Sequence, residues 1–289
     1  METITDPTDP RLADYRHLTD AAARRSVEGD DAHGIFIVEG VLAVQQLLAS
    51  GRPVRSAVFT PPRATALREL VLDLQRAGAA VMIAERPVLA GVTGFDVHRG
   101  LLASAARTAP LSMAEVVHGA RRIAVLEELN DHENLGSVFR NAAALGLDAV
   151  LLDERSADPL YRRSIRVSLG WALRVPHTRV QSLPESLALL RSDGWSTVAL
   201  TPGATSIPVD LAAASGVLDD RLALVIGAEG PGLCEQTMAS CETRVRIPMQ
   251  SGVDSLNVAT ALAVVASFAA ARRGWADRGP SFVEDHPIG

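Results

Sequence analysis

The feature that most restricts the fold is a set of short, mainly apolar runs, each separated from the next by a stretch with helical spacing. In the second half of the chain they are RRIAVLEEL (Arg121–Leu129), AVLLD (Ala149–Asp153), STVALT (Ser196–Thr201), LALVIG (Leu222–Gly227) and TRVRIP (Thr243–Pro248). Stretches that read as helices lie at Leu135–Leu145 and Pro159–Leu169, and a last helix runs from Ser255 to about Arg273. Strands that are apolar on both faces must be covered on both, and alternation with helices predicts a parallel sheet between two helical layers. Ligands of such sheets bind beyond the carboxyl ends of the strands. The loops after Leu129, Thr201, Gly227 and Pro248 are therefore the places to look for chemistry.

The first third repeats the alternation on a smaller scale. The first ten residues, acidic and carrying two prolines, read as a loose tail, and Arg11–Val27 reads as a helix. FIVEG (Phe36–Gly40) is a strand, followed by a helix through Ser50 that Gly51 ends. VRSAVFT (Val54–Thr60), AAVMIA (Ala79–Ala84) and Leu101–Ala105 are further strands, with a helix at Ala64–Ala77 stopped by Gly78. A chain of 289 residues is long for one domain. The expected organisation is a small N-terminal α/β domain over 1–108, a linker over 109–119 around Pro110, a parallel-sheet domain over 120–274 and a tail over 275–289.

Charge excludes a uniformly basic nucleic-acid binder: the net charge is −6, and neither the first 110 residues nor the rest is basic. All 28 basic side chains are arginine, the better residue for bidentate phosphate contacts, so any RNA contact must be a local patch. Cys234 and Cys241 have none of the spacings of a zinc site and read as reduced thiols; no metal is implied. The N-terminus lacks an apolar signal core. The longest apolar run, Val258–Ala271, is too short to span a membrane. A cytoplasmic protein is expected.

Three segments could carry chemistry. Asn130–Gly146 (NDHENLGSVFRNAAALG) leaves a strand and opens a helix, with Asn134 and Arg140 near its start, where free backbone N–H groups attract anions. The plain alternative makes Asn134 an N-cap and Arg140 a surface charge. Leu222–Leu233 (LALVIGAEGPGL) runs from a buried strand into a glycine-rich turn holding one carboxylate, Glu229. Gly227, Gly230 and Gly232 can take positive φ or let backbone approach a ligand closely. The spacing is neither a dinucleotide fingerprint nor a phosphate loop. In Arg246–Ser267, Ser255 could cap the long apolar helix, leaving Asn257 in its first turn, where it could bond neighbouring backbone.

In this order the three segments resemble the motifs of the SpoU (TrmH-like) branch of the SPOUT RNA 2′-O-methyltransferases. The matching residues are Asn134, Gly136 and Arg140; Gly227, Glu229 and Gly230; and Ile247, Pro248, Met249, Asp254, Ser255, Leu256, Asn257 and Val258. Ser164–Pro176 resembles an Arg-x-Ser-x-Gly stretch of the same family. Ala228 stands where many members have Asn, and Asn141 where Thr or Ser is frequent. The N-terminal half resembles, less specifically, a ribosomal-protein-like substrate-binding domain, through FIVEG and VHRG (Val97–Gly100).

The resemblance implies a parallel-sheet catalytic domain with a deep trefoil knot, S-adenosylmethionine as cofactor and a homodimer. The implied catalytic set is Asn134, Arg140, Glu229, Ser255 and Asn257. The cofactor set is Thr201, Gly203, Ile226, Gly227, Ile247, Met249 and Leu256, and a side chain added at Gly227 is expected to fill space the cofactor needs. Arg24, Arg25, Arg140 and Arg166 would meet RNA, ribosomal RNA in preference to tRNA. The alternatives are a tRNA 2′-O-methyltransferase, or an RNA-binding protein of this fold without transfer activity. A nucleotide-dependent doubly wound enzyme fits the alternation but lacks its phosphate loop.

Overall fold

The computed structural model describes residues 1–18, 34–219 and 221–271. It divides into two compact units, Met1–Pro110 with Leu160–Arg174, and Leu111–Pro159 with Val175–Gly289.

The first unit is built on a five-stranded sheet of β1 (Glu2–Ile4), β2 (Ile35–Glu39), β3 (Val54–Phe59), β4 (Ala80–Ala84) and β5 (Leu101–Ala106), in the order β1-β4-β3-β5-β2. β1, β4 and β3 are parallel, and β5 runs antiparallel to both β3 and β2. The expected N-terminal tail is thus corrected: Ile4 pairs with Ala84 and is buried with Leu12, Tyr15, Val58 and Met82. One apolar residue among acidic neighbours suffices when it lands on a core. Where a helix was expected from Arg11, Pro10–Tyr15 forms a short 3-10 helix capped by Asp9. Residues 19–33, with Arg24 and Arg25, lie outside the described residues. The helix expected at Ala64–Ala77 starts earlier, at Pro61, because proline suits a first turn. It breaks at Leu67 (φ −118°, ψ 41°) into Pro61–Ala66 and Arg68–Arg76.

Leu160–Arg174 was expected inside the second domain. Its apolar side chains Leu160, Ile165 and Leu173 instead join the core of the first unit with Phe36, Val44 and Leu101. The helix within it is shorter than expected, Arg162–Val167. Arg162 donates to the buried Glu39 carboxylate at 2.7 Å. Gly170 takes φ +88° against the helix Val41–Ala49, where a Cβ would come within 2.9 Å of the Ala43 Cα. This contact admits only glycine.

The second unit carries β6 (Arg122–Leu126), β7 (Ala149–Leu152), β8 (His177–Arg179), β9 (Ser196–Leu200), β10 (Ile207–Pro208), β11 (Leu222–Ile226) and β12 (Thr243–Arg246). Their order is β10-β12-β9-β11-β6-β7-β8, with every pairing parallel. β6, β7 and β11 are buried almost throughout, as double-sided covering requires; each Val, Leu or Ile so buried contributes about 1.5–3 kcal/mol. The register pairs Leu126 with Ile226, Val225 with Ala199 and Leu200 with Val245. Four loops therefore leave the sheet from one edge.

Sequence reading missed β8 and β10, which are two or three residues long, and the helices Leu183–Ser192, Val209–Ala214 and Glu235–Ser240. The expected linker holds a helix, Met113–Val117, started by a capping box in which Ser112 and Glu115 each accept the other's backbone N–H. That exchange satisfies two of the donors a helix start leaves open. No helix among the described residues is long and apolar enough to cross a membrane.

Candidate active site

Three of these loops, those after β9, β11 and β12, enclose a cavity of about 550 Å³ at the carboxyl edge of the parallel sheet. Its wall includes Thr201, Ile226, Gly227, Ile247, Met249 and Leu256 of the expected cofactor set. Gly203 falls outside the lining, which ends on that loop at Pro202; its carbonyl closes a turn by accepting the Ser206 N–H at 3.0 Å. Glu229, Ser255 and Asn257 of the expected catalytic set also line the cavity, whereas Asn134 and Arg140 do not.

The loop after β11 is shaped by glycine. A Cβ on Gly227 would lie 2.3 Å from the Gly232 carbonyl carbon and 2.4 Å from the Leu233 nitrogen, so the returning limb can close only on a bare backbone. Gly230 (φ +90°) and Gly232 (φ +71°) turn the chain through left-handed conformations. The Gly232 N–H then donates to the Ala228 carbonyl at 3.0 Å.

The last helix starts later than expected, at Val258, and its cap is not Ser255. Asn257 caps it: Oδ1 accepts the N–H groups of Ala259 (3.0 Å) and Thr260 (3.2 Å). The same side chain works in the other direction. Its Nδ2 donates to Asn134 Oδ1 at 2.7 Å and to Glu229 Oε1 at 3.0 Å. One amide therefore ties together all three segments singled out in the sequence.

Asn134 is itself not a cap. The helix runs His132–Leu145, and Asp131 caps it by accepting the N–H groups of Glu133 and Asn134, each at 2.8 Å. Capping by Asp131 leaves the Asn134 side chain, buried in the first turn, for the bond to Asn257. Asn141 of this helix donates to the Ala259 carbonyl at 2.9 Å, fixing the two helices together. Arg140, between them in sequence, is exposed. Arg166 lies in the other unit, 3.7 Å from Glu39.

Sequence reasoning passed over Glu127. Its carboxylate is buried and accepts three donors from the start of the helix Glu235–Ser240: the Cys234 N–H (2.8 Å), the Cys234 thiol (3.1 Å) and the Thr237 hydroxyl (2.5 Å). The visible hint was two consecutive glutamates at the end of an apolar strand. Glu128, at φ +52°, turns the chain away so that its neighbour can point inward. Cys241 is a different case: burial pushes its thiol up to about 12. Among the described residues no cluster of three or more His, Cys, Asp or Glu could hold a metal.

The cavity has the size and character of a small-molecule site. Apolar side chains from β11 and the loop after β12 face a few polar groups, and its glycine turn exposes backbone at the wall.

Comparison with known proteins places these features. Residues 121–267 match the model of the SpoU rRNA Methylase family, and residues 37–110 match that of RNA 2′-O ribose methyltransferase substrate binding. An uncharacterized tRNA/rRNA methyltransferase of Mycobacterium tuberculosis is 47% identical over 266 residues, 91% of this chain and 90% of that one. A 23S rRNA (guanosine-2′-O-)-methyltransferase of a Burkholderia species is 31% identical over 221 residues, 75% of this chain and 87% of that one. Among solved structures, the AdoMet-bound rRNA methyltransferase of Sinorhizobium meliloti shares the fold, with TM-score 0.76 at 22% identity over 94% of this chain and 98% of that one.

Proposed function

We propose that this chain, which belongs to the SpoU rRNA methylase family, transfers a methyl group from S-adenosylmethionine to a ribose 2′-hydroxyl of structured RNA. The observation that carries the reading is the Asn257 amide, which joins Asn134 and Glu229 at the rim of a glycine-walled cavity. Thr201, Ile226, Gly227, Ile247, Met249 and Leu256 would hold the cofactor, and the loops that carry them would form the family's trefoil knot. When bound, the cofactor supplies an electrophilic methyl group on a sulfonium.

The chain's own part is to bring the ribose oxygen to about 3 Å from that methyl and to stabilise the charge that develops as its proton leaves. Arg140 takes this role. It is exposed and has no hydrogen bond or ion pair among the described residues, so its guanidinium is available to the ribose oxygen and a neighbouring phosphate. A guanidinium does not deprotonate in the ordinary pH range, so its work is orientation and charge stabilisation. Asn134, Glu229, Ser255 and Asn257 hold the ribose and the last turn of the cofactor wall in place. Arg24, Arg25 and Arg166 would contact RNA elsewhere. The 23S rRNA relative favours ribosomal RNA over tRNA, and with it the cytoplasm as the place of action. Since Arg140 stands outside the cavity lining of its own chain, a twofold homodimer, with sites completed across the interface, fits the arrangement; sedimentation at micromolar concentration checks it.

The test is Arg140→Ala. S-adenosylmethionine affinity should stay near wild type, while single-turnover methyl transfer falls about a hundredfold, or roughly 2.7 kcal/mol of transition-state stabilisation. Arg140→Lys should not restore it, because a point charge lacks the planar fork. Wild-type rates in Arg140→Ala would remove Arg140 from the chemistry, and wild-type rates in Arg140→Lys alone would show that its charge suffices without the fork.

A further inference from the structure

Residue 127 touches both ends of the glycine loop that walls the cavity. Its backbone N–H donates to the Ile226 carbonyl at 2.9 Å, at the point where the chain leaves β11 and enters the loop. Its carboxylate holds the other end, accepting the Cys234 N–H at 2.8 Å where the loop becomes the helix Glu235–Ser240. The Thr237 hydroxyl, one turn further, donates to the same carboxylate at 2.5 Å. Between these two grips lies Gly227–Leu233, the segment in which a Cβ on Gly227 would strike the Gly232 backbone.

We infer that Glu127 is a positioning residue for the cofactor: by gripping entry and exit of the Gly227–Leu233 loop, it sets the shape of the pocket wall without touching the ligand. The inference rests on the reading of the cavity as the S-adenosylmethionine site. A carboxylate suits the task because all three of its partners are donors, and a buried carboxylate with hydrogen bonds to every donor it faces is held firmly in one geometry. Glu127 is absent from the cavity lining, so it acts through the loop. Thr237, also buried, is its counterpart on the helix.

The experiment measures S-adenosylmethionine dissociation constants by calorimetry, at a temperature well below the melting point of each full-length variant. Glu127→Ala should weaken binding about tenfold. Thr237→Val, which keeps the shape and removes only the hydroxyl donor, should weaken it in the same direction and secures the test where Glu127→Ala does not fold. Thr237→Ser, which keeps the hydroxyl, should bind like wild type. The KM for RNA should hold steady across the series, which separates a role at the cofactor wall from general loosening. Folded Glu127→Ala or Thr237→Val with wild-type cofactor affinity overturns the role. A wild-type chain that binds no S-adenosylmethionine overturns the cavity reading, and this role with it.

Discussion

Two of the loops that wall the cavity are held in opposite ways. The loop after β11 is pinned at both ends by residue 127 and closes on itself through the bare backbone of Gly227. The loop after β12 is open: residues 250–257 are all exposed, with one internal turn bond, from the Val253 N–H to the Gln250 carbonyl at 3.2 Å. It is anchored at its far end by the Asn257 amide. One wall owes its shape to its own packing. The other presents side chains such as Leu256, 40% exposed, whose remaining surface a bound ligand would cover. The same cavity thus combines a preformed half and a half that ligand contacts complete, and substitutions should sort by which half they strike.

The largest effect belongs to the pinned loop. Gly227→Ala puts a methyl group where the Gly232 and Leu233 backbone already is, with contacts of 2.3–2.4 Å that no rotamer relieves. Cofactor affinity is expected to fall a hundredfold or more, about 2.7 kcal/mol, with a lower melting temperature. The sequence suggested the same position for another reason, that a side chain would occupy the cofactor's space. The structure moves the clash to the loop itself, so binding and stability should fall together. Unchanged affinity by calorimetry in a folded Gly227→Ala chain would show that the close approach is not what shapes the wall.

The contrast between the loops also separates what was legible in the sequence from what was not. Both loops could be placed, because buried apolar strands such as LALVI announce a sheet and its carboxyl edge. Asn257, Glu229 and Asn134 could be chosen from their motifs, but not their mutual hydrogen bonds, which span up to 123 residues. Helix starts were misjudged in both directions. Asp131 and Asn257 are the caps, and a sequence offering Asn130, Asp131 and Asn134, or Ser251, Ser255 and Asn257, has several residues with capping side chains. Glu127 was passed over because the donors its carboxylate accepts sit at a helix start 107 residues away. Leu160–Arg174 was assigned to the wrong neighbour because its apolar spacing says that it packs, not against which core. The short strand β1 was lost for the opposite reason: three residues carry no period.

A smaller effect tests the anchor of the open loop. Asn257→Asp retains an oxygen for the Ala259 and Thr260 N–H groups and places an anion at a helix start, where it is favoured. It also replaces the amide donor with a carboxylate facing Glu229, across a contact now 3.0 Å long. Stability should hold to within about 1 kcal/mol, while methyl transfer falls ten- to a hundredfold. Asn257→Ala loses the cap as well and should cost about 1 kcal/mol of stability in addition. Parallel melting curves and single-turnover rates distinguish the two; equal rates for wild type and Asn257→Asp would reduce Asn257 to a cap.

The smallest effect compares two neighbours on the open loop. Val253 is 51% exposed and Leu256 is 40% exposed, so neither contributes much to folding, and alanine at either should change stability by no more than about 0.5 kcal/mol. Only Leu256 lines the cavity. A ligand that covers part of its side chain would gain on the order of 1 kcal/mol from it, so Leu256→Ala should weaken S-adenosylmethionine about fivefold and Val253→Ala should leave affinity unchanged. This pair isolates the property that sets the open loop apart: its side chains act on the ligand without acting on the fold. If Leu256→Ala lowers the melting temperature of the free chain as much as it lowers affinity, the loop after β12 is packed in solution, and the two walls of the cavity are built alike.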